Sequence, residues 1–335
     1  MKRILLIAGL VLAVLAVGYV AGPRTHFDSI KNTRIAMKTD LVELERELAE
    51  SEQKANLRPD NEARIVWADS TKKQKTPYSF VYIPGFTASW AEGDPVHRQL
   101  AHRFGGNLYL ARTCEHGLNS PDALKGMAPA CYAESAERAL AVGKALGENV
   151  VVIGTSAGGM LSLYLAAHHP EIAGLILYSP CIATRNPALK LATKPWGAQI
   201  MRQVFPDDHV VIDTYKPDRA QHWLTTYHTN GLVTLQTMLD EWMTPEQFAK
   251  VKQPLFMAYY YRDEANQDPT VSVPAMLTMF DELGTPASQK EKVAMPNANH
   301  HVIASHFTSD DVAGVYRATA GFIERVLHLP VVNAQ

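Results

Sequence analysis

The most informative stretch of the sequence is residues 150–160, which read Val-Val-Val-Ile-Gly-Thr-Ser-Ala-Gly-Gly-Met. Its four β-branched residues in succession predict a strand that is buried on both faces. The G-x-S-x-G pattern of Gly154, Ser156 and Gly158 follows, and an apolar run with helical spacing begins at Met160. This order of strand, tight turn and helix predicts a nucleophile elbow, which presents Ser156 on a strained turn. An ordinary strand-to-helix turn is the alternative that the pattern alone leaves open.

The composition is that of an ordinary globular protein. The chain has 335 residues, of which 47% are hydrophobic and 20% are charged, and its formal net charge is -2. This length accommodates one large α/β domain with an insertion. The near-neutral charge gives no reason to expect nucleic acid as a partner.

The N-terminal segment, residues 1–22, predicts export from the cytoplasm. Lys2 and Arg3 precede an uncharged apolar run over residues 4–22. A run of about 18–20 such residues can span a bilayer, and the charges before it predict a cytoplasmic N-terminus. We expect an uncleaved signal anchor that holds the rest of the chain outside the cytoplasm, because signal peptides have shorter apolar cores of about 7–15 residues. A cleaved signal peptide, which would leave the protein secreted or periplasmic, is the alternative.

The three cysteines, Cys114, Cys131 and Cys181, leave an odd count. In an exported chain, a disulfide between Cys114 and Cys131 could close the loop between them. Three buried thiols are an equally good interpretation of the same residues. The sequence has no C-x-x-C pair, so the cysteines do not predict a metal site.

Residues 23–61 form a polar spacer between the apolar segment and the domain. Within it, Leu41, Leu44 and Leu48 have the spacing of a short amphipathic helix with a charged, solvated face. We expect this helix to pack lightly on the domain and to have no chemical role.

Residues 62–330 predict an α/β domain. Strand-like runs alternate with helical patterns, which favours a mostly parallel sheet with helices on both faces. The strand-like runs lie at 64–67, 78–83, 107–111, 149–153, 173–178, 255–261 and 292–295. The alternation breaks over about 182–251, which predicts an inserted, mainly helical cap. Trp196 and Trp223 of this cap could line a substrate pocket, or they could belong to the core of the cap itself.

The sequence also contains partners for the serine. A serine hydroxyl needs a base to remove its proton and an acid to orient that base, and in an elbow topology the acid and then the histidine follow later strands. Asp263 and Asp268 follow the sixth strand-like run, and His300 and His301 follow the seventh. The order serine, aspartate, histidine therefore favours a catalytic role for Ser156 over an ordinary turn.

Together these motifs resemble an α/β-hydrolase-fold serine hydrolase of the carboxylesterase and monoacylglycerol-lipase branch. The resemblance covers residues 63–327, and the cap is its least matched part. The similar segments are residues 84–89 (the branch's H-G-F-T-x-S loop), 112–117 (its R-x-x-x-H-G loop), 154–158 (its elbow), 268–272 (its acid loop) and 299–302 (its histidine loop).

The resemblance favours one residue of each candidate pair. It favours Asp268 over Asp263 as the acid, because the family acid is followed by a short loop and a helix that begins near a Ser or Pro. It favours His301 over His300 as the base, because the family histidine is followed by Val or a similar residue.

The resemblance also implies an oxyanion hole formed by the backbone N–H groups of Phe86 and Ala157. Pro84 stands where the family usually has a histidine. Because the donors are backbone groups, the hole is compatible with that change.

The activity that the resemblance implies is hydrolysis of a carboxylic ester, small or lipid-like, through an acyl-enzyme. This chemistry requires no metal or organic cofactor, and the membrane is an expected partner through residues 1–22. Amide or peptide hydrolysis by the same triad is one alternative. A catalytically idle member of the fold that uses its pocket for binding is another.

Overall fold

The computed structural model describes residues 2–30, 35 and 37–333. Met1, residues 31–34, residue 36 and residues 334–335 lie outside the described residues. The predictions for the segments 1–22 and 23–61 are therefore compared only over their remaining positions.

Seven strands form one central sheet, and two more form a separate two-stranded antiparallel sheet. In chain order the strands are β1 (Arg64–Val66), β2 (Thr76–Ile83), β3 (Asn107–Leu110), β4 (Gly147–Thr155), β5 (Gly174–Tyr178), β6 (His209–Val211), β7 (Thr226–His228), β8 (Leu255–Tyr259) and β9 (Lys290–Ala294). The central sheet has the order β1-β3-β2-β4-β5-β8-β9. Only β1 pairs antiparallel with its neighbour, and the other strands are parallel. The carboxyl ends of β4, β5, β8 and β9 consequently share one edge of the sheet.

Helices connect the strands and extend the chain at both ends. In chain order the α-helices are α1 (Lys2–Val20), α2 (Leu41–Lys54), α3 (Val96–Arg103), α4 (Pro129–Leu146), α5 (Ala157–His168), α6 (Gly197–Val204), α7 (Pro217–His222), α8 (Asn230–Trp242), α9 (Pro245–Phe248), α10 (Val273–Glu282) and α11 (Val312–Phe322). Short 3-10 segments lie at Trp90–Gly93, Pro187–Thr193, Pro206–Asp208 and Ala287–Gln289, and a π-helix at Ile323–Leu327 follows α11.

Apolar layers cover both faces of the sheet. Leu161 of α5 lies in one layer together with Val152 of β4. Leu100 of α3 and Phe322 of α11 lie in the other layer together with Ile153. Successive side chains of β4 therefore enter opposite layers, as the pleat of a strand requires. The predicted mostly parallel α/β sheet with helices on both faces is confirmed, and each predicted strand-like run overlaps a strand of the central sheet.

Helix α2 belongs to the domain more firmly than its sequence indicated. Leu44 and Leu48 are buried in the layer that also contains α4 and α5. The Glu52 carboxylate lies 2.6 Å from Arg112 Nε and accepts a hydrogen bond from the Ala63 N–H at 2.9 Å. The expectation of light packing is corrected accordingly, because a buried apolar face and an ion pair attach α2 to the domain.

The inserted region 182–251 contains α6, α7, α8 and α9, and it also contains a two-stranded antiparallel sheet that the sequence did not indicate. Strands β6 and β7 pair antiparallel, with His209 opposite His228. Three residues in each strand are too few for an alternating pattern to be recognisable.

The N-terminal helix α1 exposes apolar side chains, Leu10 and Leu12 among them. Its C-terminal end contacts the cap, because the Trp196 indole Nε1 donates a hydrogen bond to the Gly18 carbonyl at 3.1 Å. No helix among the described residues is long and apolar enough to cross a membrane. The assignment of residues 1–22 as a signal anchor or signal peptide stays a prediction.

Of the two interpretations of the cysteines, the structure contains the disulfide. Cys114 and Cys131 are bonded, with their Cα atoms 5.8 Å apart. The bond joins the segment after β3 to the first turn of α4. Cys181 is a buried free thiol, and burial together with the charge of Asp268 raises its pKa to about 12.

Candidate active site

Ser156 lies between the last residue of β4 and the first residue of α5. Its backbone has φ 54° and ψ -117°, a conformation that residues other than glycine rarely adopt. Two hydrogen bonds hold this turn: the Ser156 N–H donates to the Tyr178 carbonyl and the Ser156 carbonyl accepts from the Cys181 N–H, each at 2.9 Å. The backbone strain expected of an elbow is therefore present, and the end of the neighbouring strand β5 maintains it.

Two glycines allow α5 to approach the end of β2. A Cβ atom on Gly158 would overlap the carbonyl oxygen of Ile83, and one on Gly154 would overlap the Gly158 carbonyl and Ser162 Oγ. The loop that contains Phe86, residues 84–89, begins directly after Ile83, and it is called the oxyanion loop after its predicted role. The glycines therefore permit the first turn of α5 to lie beside that loop.

Phe86 and Ala157 carry the two N–H groups predicted for the oxyanion hole. Phe86 follows the end of β2, and Ala157 is the first residue of α5. Neither N–H donates to an acceptor within the described residues. The N-terminus of a helix also carries partial positive charge, so these groups suit a developing oxyanion beside Ser156.

The acid loop and the histidine loop meet in a buried hydrogen bond. His301 Nδ1 lies 2.7 Å from Asp268 Oδ2, and the two residues are only 6% and 0% exposed. Asp268 Oδ1 accepts hydrogen bonds from the N–H groups of Thr270 at 2.8 Å and Val271 at 3.0 Å. With the carboxylate fixed and Nδ1–H donating to it, the neutral imidazole carries its lone pair on Nε2.

The surroundings raise the pKa of His301 and lower the pKa of Asp268. Burial alone would lower the pKa of His301, but the charge of Asp268, the hydrogen bond to it and the charge of Glu92 outweigh burial. For Asp268, burial raises the pKa, and the contacts with His301, Thr270 and Val271 lower it by more. His301 Nε2 is buried and has no hydrogen-bond partner among the described residues, so it is available to accept a proton.

The alternative candidates Asp263 and His300 have different contacts. Asp263 is exposed, and its Oδ1 accepts hydrogen bonds from the N–H groups of Ala265 at 2.9 Å and Asn266 at 2.8 Å. His300 Nε2 lies 3.3 Å from Nη1 of Arg219, and burial lowers the pKa of His300 to about 4. The structure thus brings Asp268 to His301, and it places Asp263 and His300 in other contacts.

The two tryptophans expected to line a pocket lie in different places. Trp223 is buried in a cluster with Ala88 of the oxyanion loop and Val302, the residue after His301. Trp196 is partly exposed and packs on the N-terminal segment at Gly18. The indole of Trp196 contacts the segment before the domain, and the assignment of Trp196 to a substrate pocket stays a prediction.

The cap pairs directly with the oxyanion loop. The Ser89 N–H donates to the His222 carbonyl and the Leu224 N–H donates to the Thr87 carbonyl, each at 2.9 Å. The Arg58 guanidinium in turn donates to the Trp223 carbonyl at 2.7 Å. The polar segment before the domain therefore holds the part of the cap that covers this loop.

Glu92 is a buried acid at the site that the sequence did not single out. Its Oε2 accepts a hydrogen bond from the Gly85 N–H at 2.5 Å, next to Phe86. Burial raises the pKa of Glu92 to about 7. In the sequence it follows Trp90 and Ala91 in a stretch without strand or helix periodicity, so no local signal distinguishes it from an exposed loop residue.

Within the described ranges, no group of three or more His, Cys, Asp or Glu side chains is arranged to hold a metal ion. Asp268 and His301 are hydrogen-bonded to each other through Oδ2 and Nδ1.

Several solved structures resemble this chain. One, described as LipS and LipT, two metagenome-derived lipolytic enzymes, is 17% identical with a TM-score of 0.61, and the match covers 80% of this chain and 99% of that one. The monoacylglycerol lipase of Paleococcus ferrophilus is 13% identical with a TM-score of 0.56, over 80% and 98% of the two chains. A soluble variant of the monoglyceride lipase from Saccharomyces cerevisiae, in complex with a substrate analogue, is 13% identical with a TM-score of 0.57, over 78% and 91%. At these identities the likeness shows the fold alone.

Comparison of the sequence with other proteins gives the family. No curated protein matches the chain significantly. A family model described as the alpha/beta hydrolase family matches residues 80–318, a range that contains Ser156, Asp268 and His301. Because this match spans most of the chain, the protein belongs to the alpha/beta hydrolase family.

Proposed function

We propose that the protein is a serine hydrolase that cleaves carboxylic esters through an acyl-enzyme. Ser156 is the nucleophile, His301 is the general base, and Asp268 orients the imidazole. The N–H groups of Phe86 and Ala157 stabilise the oxyanion of the tetrahedral intermediate.

The observation that carries this proposal is the buried hydrogen bond between His301 Nδ1 and Asp268 Oδ2, at 2.7 Å. It determines the tautomer of the imidazole and leaves Nε2 as the proton acceptor, at the sheet edge where β4 ends before Ser156. The strained turn at Ser156 and the N–H groups of Phe86 and Ala157, which have no acceptor among the described residues, support the other requirements of acyl transfer. These are a nucleophile at the apex of a tight turn and a preformed site for negative charge.

In the first half of the reaction, Ser156 Oγ attacks the ester carbonyl carbon while its proton passes to His301 Nε2. The carbonyl oxygen becomes an oxyanion and accepts hydrogen bonds from Phe86 and Ala157. When the tetrahedral intermediate collapses, the bond to the alcohol oxygen breaks and the alcohol takes the proton from His301. Asp268 stays ionised and stabilises the imidazolium between these steps.

In the second half, a water molecule replaces the alcohol. His301 Nε2 removes one proton from the water, and the water oxygen attacks the acyl carbon. The second tetrahedral intermediate then releases the carboxylic acid, and the proton returns from His301 to Ser156 Oγ. The enzyme is thereby restored to its starting state.

The side chains around the oxyanion loop favour an ester with an apolar group. Trp223, Ala88 and Val302 are buried together, and the ring of Phe86 packs edge-on against Tyr227 with 5.5 Å between ring centroids. Such surfaces bind hydrocarbon through burial rather than through hydrogen bonds. Two similar solved structures are described as monoacylglycerol and monoglyceride lipases, which supports a lipid-like ester as the substrate.

We also propose that residues 1–22 direct the protein out of the cytoplasm and tether it to the membrane. The basic residues before an uncharged apolar run support this proposal, and the disulfide between Cys114 and Cys131 suits an oxidising compartment. Cell fractionation combined with the intact mass of the mature chain tests it. A soluble cytoplasmic protein would contradict export, and a mature mass that lacks residues 1–22 would contradict the tether.

The Ser156→Ala substitution tests the hydrolase proposal. In the full-length protein it should lower kcat for p-nitrophenyl butyrate by about 10⁶-fold, because the nucleophile is removed. It should also abolish covalent labelling by a fluorophosphonate probe. Ser135→Ala, on α4, is the matched control and should retain both activities. Hydrolysis at the wild-type rate in a folded Ser156→Ala protein would contradict the proposal.

A further inference from the structure

Glu92 is only 2% exposed, and the reaction proposed above makes no use of its carboxyl group. It lies on the 3-10 segment Trp90–Gly93, directly after the oxyanion loop. Burial of a carboxyl group is costly unless hydrogen bonds compensate it. Its contacts therefore indicate what the group does.

Hydrogen bonds connect Glu92 directly to the turn before Phe86 and, through Tyr82, to the last residue of β4. Its Oε2 accepts the N–H of Gly85, the residue before Phe86, at 2.5 Å. The same oxygen lies 3.2 Å from the Tyr82 hydroxyl, which lies 3.1 Å from Thr155 Oγ1. A hydroxyl can donate one hydrogen bond and accept another, so Tyr82 can make both contacts at once. The carboxyl group thus links the oxyanion loop to the last residue of β4.

The other carboxylate oxygen lies close to the nucleophile. A Cβ atom built on Gly85 would lie 2.7 Å from Glu92 Oε1 and 3.0 Å from the Cβ of Ser156. Both atoms therefore border the same small space beside Gly85. Glu92 is consequently adjacent to the oxyanion loop and to the serine.

We propose that Glu92 is a positioning residue of the hydrolytic site. Its carboxyl group holds the turn at Gly85 and Phe86 against the end of β4, and its charge acts on His301. The N–H groups of Phe86 and Ala157 are thereby held in the arrangement that binds one oxyanion. This inference rests on the ester-hydrolase function proposed above.

The charges around Glu92 make its role measurable. The titratable or charged groups that interact electrostatically with Glu92 are Tyr82 on β2, Tyr132 on α4, Arg219 on α7 and His301 on the histidine loop. Burial raises the pKa of both tyrosines far above neutrality, and an arginine stays charged. Near neutral pH, only Glu92 and His301 of this set change their charge. An ionised Glu92 raises the pKa of His301, so removal of the Glu92 charge should lower the pKa of His301.

The first test is the pH dependence of kcat/KM for Glu92→Gln. The amide keeps an oxygen that can accept from Gly85 but carries no charge, so the acid limb of the profile should move to lower pH, by roughly 0.5 to 1 unit. Glu134→Gln, which removes an exposed carboxylate on α4, is the matched control and should leave the limb in place. A purely structural role for Glu92 would not move the limb.

The second test is the split between kcat and KM for Glu92→Ala. Loss of the acceptor frees the Gly85 turn, so kcat for p-nitrophenyl butyrate should fall by about 10- to 100-fold, while KM changes by less than about three-fold. A fall in kcat with a nearly unchanged KM would mean that Glu92 contributes to stabilising the transition state and not to binding the substrate. A Glu92→Ala protein with the wild-type kcat would overturn the proposal.

The two proposals fail in distinguishable ways. If Ser156→Ala still hydrolyses esters, the proposed function is wrong. If Ser156→Ala is inactive but Glu92→Gln has the acid limb of the wild-type protein, the inference about Glu92 alone is overturned. The acid limb of Glu92→Gln therefore tests the inference about Glu92 even if Glu92→Ala does not fold.

Discussion

The segment between β8 and α10 carries one aspartate near each end, and the two ends have different surroundings. Asp268 is 0% exposed and accepts hydrogen bonds from His301 and from the N–H groups of Thr270 and Val271. Asp263 is exposed, and its partners are the nearby residues Ala265 and Asn266. Asp268 thus forms a hydrogen bond with a residue that is distant in the sequence, whereas Asp263 stabilises the turn in which it lies.

The difference shows that a carboxylate acts on a distant group only where the fold excludes water and supplies a partner. In water the field of Asp263 is screened, and its bonds to Asn266 lower its own pKa without reaching the site. In the interior, Asp268 raises the pKa of His301 against the opposing effect of burial. The same distinction separates His301, which is bonded to Asp268, from its neighbour His300.

The largest effect is expected at the histidine pair. His301→Ala should lower kcat for p-nitrophenyl butyrate by about 10⁵- to 10⁶-fold, because no other base among the described residues is bonded to the Asp268 carboxylate. His300→Ala removes a side chain that contacts Arg219, and it should change kcat by less than about five-fold. Steady-state kinetics of the two variants measure both values. Equal losses of kcat in the two variants would contradict the assignment of His301, rather than His300, as the base.

The aspartate pair should show the next largest effect. Asp268→Asn should lower kcat by about 10³- to 10⁴-fold, because the amide no longer stabilises the imidazolium and favours the wrong tautomer. Asp263→Asn should leave kcat within about two-fold, since the residue lies in an exposed turn. A greater loss in Asp263→Asn than in Asp268→Asn would reverse the assignment of the acid.

The pH dependence of kcat/KM should separate the same two aspartates. The base must be neutral, and the pKa of His301 is raised, so activity should fall as the pH drops below a midpoint above the ordinary histidine value of about 6.5. Asp268→Asn removes the main cause that raises this pKa and leaves burial, so the residual activity should have its midpoint at lower pH. Asp263→Asn should keep the wild-type midpoint. An unchanged midpoint in Asp268→Asn would contradict the electrostatic role of Asp268.

The smallest effect is expected for two glutamates on α2, which extend the comparison to stability. Glu52→Gln leaves Arg112 without its anionic partner in a mostly buried contact, so the free energy of unfolding should fall by about 1–3 kcal/mol. Glu50→Gln removes an exposed partner of Arg46 and should change the free energy of unfolding by less than about 0.5 kcal/mol. Denaturant unfolding of the full-length variants measures both. Equal changes would mean that α2 is not attached to the domain through Glu52.

Much of the fold was predictable because it depends on local patterns. The buried strand and the glycines around Ser156 have a recognisable order, and each predicted strand-like run overlaps a strand of the central sheet. The two-stranded sheet of β6 and β7 was not predictable, because its short strands have no distinct periodicity. The attachment of α2 was missed for another reason, since the ion pair of Glu52 and Arg112 joins residues far apart in the chain.

The family pattern is recognisable without a structure: a strand, an elbow at Ser156 and a helix are followed by aspartates and histidines in the order that this topology uses. Spacing along the chain carries that information, because strand ends and turns are local. Only the tertiary structure decided which aspartate is buried against which histidine, where Trp196 packs, and that Glu92 lies beside Ser156. These outcomes depend on which distant groups share a space from which water is excluded, and that property has no signature in a local stretch of sequence.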